Sequence, residues 1–150
     1  QLNFDIADNG DFYVSFEADS LMYRYDHDYN QLACFGFAGR DMDLNYLRWD
    51  SYDQPWKERL AERMSRGFYN AVEYVDETGL LFRSYRKGGG SVTDGLQVYR
   101  DGVLVGDVDV PLGFRMAGYV APYYYSYVVP DEEGERLYMF RFKWPSAPEE

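Results

Sequence analysis

Leu96–Val110 reads LQVYRDGVLVGDVDV, two runs rich in Val and Leu on either side of an Arg100-Asp101-Gly102 turn. β-branched residues favour strands, and an Asp-Gly pair between such runs favours a hairpin. Upstream, GLLFRSYRKG from Gly79 forms a third run, separated by the loop Gly88-Gly89-Gly90. The same order occurs twice more. Asp8-Asn9-Gly10 precedes DFYVSFE (11–17), Ala18-Asp19-Ser20 precedes LMYRYD (21–26), and QLACFGF follows at 31–37. Near the other end, YYYSYVV (123–129), an Asp131-Glu132-Glu133-Gly134 turn and LYMFRFKW (137–144) repeat it again. The equivalent strands start at Leu21, Leu96 and Leu137, intervals of 75 and 41 residues. The second interval matches the ~40–45 residues of a four-stranded propeller blade.

Each copy has a candidate inner strand before it: LNFDIA (2–7), FYNAVEYV (68–75) and FRMAGYV (114–120). The reading is an all-β chain of eleven strands, three consecutive antiparallel four-stranded blades with the last incomplete. Pro145 and Pro148 cannot donate to a sheet ladder, so the third copy stops short of its outer strand. The predicted units are a first blade at about 1–40, an insertion at about 41–66, a second blade at about 67–111, a third at about 112–144 and a tail at 145–150. The insertion explains the long first interval. It carries one amphipathic helix, PWKERLAERMSR, with Pro55 near its first turn and Trp56, Leu60 and Met64 on one face. That helix is expected to cap a blade rim or to serve as a lid. A single closed lipocalin-like barrel is the competing architecture for 150 residues of antiparallel strands.

Composition narrows the partners. Aromatics make up 19% of the chain, with 16 Tyr and 10 Phe, which suits packing across pleated strands. A net charge of −11 repels phosphate backbones and anionic headgroups, so nucleic acid is excluded as a partner class and membrane insertion is not expected. No apolar run approaches the ~20 residues of a membrane span, and Gln1 opens without a basic or apolar leader. A soluble chain is expected. Cys34 is the only cysteine and rules out an intramolecular disulfide or a thiolate cluster; within its strand it is expected to be a small buried residue.

The Asp-Asn-Gly-Asp turn before FYVSF, the run YRYDHDYNQLACFGFAG (23–39), LQVYRDGVLVGDVDVP, GYVAPYYY and LYMFRFKW together resemble six-bladed propeller proteins of Bacteroidetes, related in shape to the NHL and TolB-like propellers. The resemblance covers nearly the whole chain and implies the C-terminal blades of such a ring, with a periplasmic or cell-surface location. Three blades fall short of the four to eight that close a ring. Further blades, or a second copy of the chain, are therefore expected to complete it.

No catalytic constellation stands out. Asp26-x-Asp28-x-Asn30 begins like a calcium loop, but Gln31 and Phe37 replace the required Gly and Glu, so a polar turn is expected. His27, the only histidine, is expected to be solvated, and Gly88–Gly90 lacks the Lys and helix of a phosphate loop. No cofactor or metal is implied. The ligand-binding candidates are aromatic: Trp49 and Trp56 in the insertion, and Tyr123 and Tyr125 on one face of a strand, where exposed rings suit sugars or peptide side chains. The expected function is a binding or interaction module for a glycan, peptide or protein. Two alternatives stay open: a hydrolase or lyase acting on glycan through inner-strand carboxylates such as Asp5 and Glu73, and a small-ligand barrel.

Overall fold

The computed structural model describes residues 1–47, 53 and 55–146. Strands dominate, with one helix among the described residues. The first sheet is an antiparallel meander of β1 (Leu2–Ile6), β2 (Phe12–Phe16), β3 (Met22–Tyr25) and β4 (Gln31–Phe35) in that spatial order. The second repeats the pattern with β5 (Gly67–Val75), β6 (Leu80–Lys87), β7 (Thr93–Arg100) and β8 (Val103–Pro111). The third has three strands in the order β13 (Arg141–Phe142), β10 (Tyr123–Ser126), β9 (Met116–Val120). A small hairpin joins β11 (Val129–Pro130) to β12 (Leu137–Tyr138).

The sheets are layered, with the second in the middle. Period-two alternation sends Leu81, Arg83, Tyr85, Gln97 and Tyr99 to one face of it and Leu80, Phe82, Ser84, Leu96 and Val98 to the other, and all ten are buried. One core joins Tyr13 and Met22 of the first sheet to Val72, Leu81 and Tyr99. The other joins Leu80, Phe82, Leu96 and Val98 to Phe114, Met116 and Tyr124. Polar bonds tie the sheets together. Asn3 Nδ2 donates to Tyr69 O (3.2 Å), Tyr74 N to Asp5 Oδ2 (2.7 Å) and Met116 N to Ser84 Oγ (2.9 Å).

Arg83 crosses the first interface. Its guanidinium lies 3.2 Å from the centre of the Tyr69 ring and donates to Ser15 Oγ (2.9 Å) and to the carbonyls of Ser20 (2.7 Å) and Asp19. Burial pulls its pKa down to about 10, against the opposing pull of Tyr69, Tyr99 and Asp19.

Two expectations need correction. The strands form separate sheets and do not close, so the barrel alternative fails: a barrel requires a continuous ladder, and none connects the three layers. The third copy is also more broken than the eleven-strand reading. YYYSYVV divides into β10 and β11, and LYMFRFKW into β12 and β13. Ser126 causes the break: its Oγ accepts from Phe140 N (2.9 Å) and donates to Tyr127 O (2.8 Å), satisfying backbone groups a ladder would otherwise hold.

The helix α1 spans Trp56–Arg66, with Pro55 just before its first turn. It ends at Gly67, whose φ of +81° and whose missing Cβ, which would stand 2.4 Å from Arg86 O, let the chain turn directly into β5. The helix packs beside β5, yet none of its residues is buried. Arg63 anchors it through Glu17 (3.1 Å) and the Phe68 ring (4.0 Å).

Candidate functional site

The feature most open to a partner is the outward face of the first sheet. Register places Leu2, Phe4 and Ile6 of β1 opposite Phe16, Val14 and Phe12 of β2, and the last two opposite Tyr23 and Tyr25 of β3. All of these share the face that points away from the second sheet. Rings are stacked along it, Phe12 on Tyr25 at 5.3 Å and Phe16 edge-on to Tyr23 at 6.3 Å. Phe4 and Ile6 are each 59% exposed. Cys34 pairs with Tyr23, so its thiol lies on this face and is exposed; the expectation of a buried cysteine is overturned because the apolar face around it has no cover. The alternation of LNFDI and FYVSF signalled two-faced strands, but not which face would be left open.

A second region lies where the first strands approach one another. A 430 Å³ cavity is lined by Asn3, Asn70, Arg115 and Tyr127 among others. Asn70 occupies the bulge between Tyr69 and Ala71, and its buried Oδ1 has no hydrogen-bond partner among the described residues. Neither Asp5 nor Glu73 borders this cavity. The two carboxylates are electrostatically linked. Burial first, then the charge of Asp5, pushes Glu73 up to about 7, while Asp5 holds Ile6 N (2.9 Å) and Tyr74 N (2.7 Å). Asp5 thus serves the joint between two strands.

Over the second sheet, residues 37–40 are held by tyrosine hydroxyls. Tyr69 Oη accepts from Gly39 N and donates to Phe37 O, both at 3.0 Å; Tyr99 Oη accepts from Phe37 N (3.2 Å); Tyr85 Oη accepts from Arg40 N (3.0 Å) and donates to Asp107 Oδ1 (2.6 Å). Alongside, Lys87 Nζ meets Asp109 (2.6 Å) and Asp41 (3.3 Å). Every polar group named here is paired within the protein, so this network fastens the segment to the sheet.

The aromatic candidates do not form one site. Trp49 lies outside the described residues. Trp56 is 61% exposed and borders a 240 Å³ cleft with Tyr46, Leu60 and Glu62. Tyr123 and Tyr125 are half-buried on the outward face of the third sheet, where Arg141 sits 4.4 Å and Lys143 Nζ 5.2 Å from the Tyr123 ring centre. These are two separate surfaces. The Asp26 turn is internally satisfied: Asp26 Oδ1 accepts from Asp28 N and Asn30 N at 2.9 Å, and His27 is exposed beside Asp28. No helix of the described residues is long and apolar enough to cross a membrane. No protein-family model, curated protein or solved structure matches the chain.

Proposed function

We propose that the chain is a non-enzymatic interaction module, a three-blade segment of a β-propeller whose outward first-sheet face docks a further antiparallel sheet. The observation that carries this is the uncovered apolar face formed by Leu2, Phe4, Ile6, Phe16 and their neighbours. Contiguous exposed apolar patches of that kind mark interaction surfaces. Supporting it, two sheets of the same β-meander order already pack face to face in this chain. The covering sheet comes from further blades of the same ring or from a second copy. Placement in a bacterial cell envelope, and the glycan, peptide or protein that the assembled ring engages, rest on the sequence resemblance.

The test is native mass by light scattering. The isolated chain is expected to run at a multiple of its 17.6 kDa, and Phe4→Lys with Ile6→Lys to return it to a single copy with its sheet signal intact. A wild-type chain that stays monomeric at high concentration with this face uncovered would refute docking of a second copy.

A further inference from the structure

The outward face of the third sheet is as open as that of the first, and its charge is the opposite. β10 turns Tyr123 and Tyr125 outward, and register sets Val120 and Gly118 of β9 opposite them on one side and Arg141 of β13 opposite Tyr125 on the other. Val120 is 69% exposed. Gly118 carries no side chain, and a Cβ built there meets no atom within 4 Å, so the face is notched beside Tyr125. Arg141 and Lys143 lie over the Tyr123 ring, which holds two exposed cations on an aromatic floor. Residues 110–130 and 136–148 contain no Asp or Glu to offset them.

The outward face of the first sheet has the complementary makeup. Arg24 is the only Lys or Arg before Arg40, and it turns to the inner side, where it pairs with Asp11 and lies over Tyr13. The open side thus presents Leu2, Phe4 and Ile6 with no Lys or Arg among them. At its border stands the carboxylate of Asp19, to which Tyr23 Oη donates at 2.9 Å. Among the described residues, no carboxylate lies within ion-pair distance of Arg141 or Lys143, and no cation within that distance of Asp19.

Two copies of net charge −11 repel each other at long range, so a contact between them is favoured where the unpaired cations of one meet the acidic border of the other. First face against first face supplies no Lys or Arg to either Asp19. Third face against third face sets Arg141 and Lys143 against their own kind, and like charges across an interface cost affinity. First against third is the matched pairing.

We propose that the third sheet of a second copy of this chain covers the first sheet, head to tail, with Phe4 and Ile6 laid against Tyr123, Tyr125 and the notch at Gly118, and with Arg141 and Lys143 turned toward Asp19. This rests on the reading of the first face as a docking surface and names what docks there. The contact is heterologous, so each copy brings one face of each kind, and both kinds are used when two copies close on each other.

Light scattering on two variants and their mixture tests it. Phe4→Lys with Ile6→Lys disables the first face alone, and Arg141→Glu with Lys143→Glu the third alone. Each is expected to run as a single copy where the wild type associates, the charge reversals weakening self-association about tenfold or more. An equimolar mixture is expected to recover a complex of twice 17.6 kDa, because one variant still offers a third face and the other a first. Gly118→Arg, which the open space at that position lets the fold accept, should fill the notch and also give a single copy. Circular dichroism should match the wild type in all three. Third-face variants that associate as the wild type does, or two variants that stay apart when mixed, would overturn the head-to-tail contact while leaving the docking of the first face standing. A wild type that remains a single copy at every concentration would overturn it too, and would leave further blades of the same ring as the cover.

Discussion

Glu73 shows how a single side chain senses its place between two sheets. Water is partly excluded from its carboxyl, and Asp5 adds a like charge, so the protonated form is favoured and the pKa rises from 4.5 to about 7. A carboxyl with a raised folded-state pKa binds more protons in the folded protein than in the unfolded one. Its contribution to stability is therefore complete below pH 4.5 and is lost as pH rises through about 7. Because the group is half open to solvent, the effect is about 1–2 kcal/mol rather than the full value of the shift. Urea unfolding midpoints across this window should fall with pH in the wild type and stay flatter in Glu73→Gln. A wild-type profile that rises across the same interval would contradict the assignment.

At the level of elements, the tyrosine clasp on residues 37–40 is the most specific device in the fold. It lets a chain segment without secondary structure of its own lie across a sheet with its backbone groups satisfied. Tyr85→Phe removes one donor and one acceptor from this set. It should cost about 1–3 kcal/mol, because Arg40 N and Asp107 Oδ1 lose a partner together, and proteolysis should first appear near residue 40. Cleavage and melting indistinguishable from wild type would show that the segment is held by other contacts.

What could be read beforehand follows the same division. The hairpins at Asp8-Asn9-Gly10 and Arg100-Asp101-Gly102 were legible because turn chemistry and alternation are local signals, and the all-β character followed from them. The clasp was not, since Tyr69, Tyr85 and Tyr99 look like ordinary strand residues until the partner segment is placed over them. Ser126 broke a run that propensity alone would continue. Tyr123 and Tyr125 were correctly put on one face by periodicity, whereas Arg141 and Lys143 reach that face only through the pairing of β13 with β10, which no spacing in the chain records.

On the scale of the whole molecule, the three layers differ in how well they are sealed. The second sheet is covered on both faces, while the first carries bulky apolar residues into solvent on one. The third ends in tyrosines overlaid by Arg141 and Lys143. The stack is thus asymmetric, with an apolar end and an aromatic, cationic end. Head-to-tail addition of like units would bury the first against the second, and such a heterologous contact closes into a ring only if the rotation per sheet permits it.

The exposed thiol of Cys34 turns this asymmetry into something that can be timed. It sits opposite Tyr23 on the open face and is the chain's only cysteine, so any maleimide or disulfide reagent consumed by the native protein reports on that one patch. Labelling should be fast in dilute protein and slow as the concentration is raised or a blade-bearing partner is added. With Phe4→Lys and Ile6→Lys the rate should stay fast at every concentration. A rate independent of concentration in the wild type would mean that nothing docks there. Thiol-directed oxidants would act with the same selectivity, so under the proposed docking an unassembled chain would be marked at this face before an assembled one.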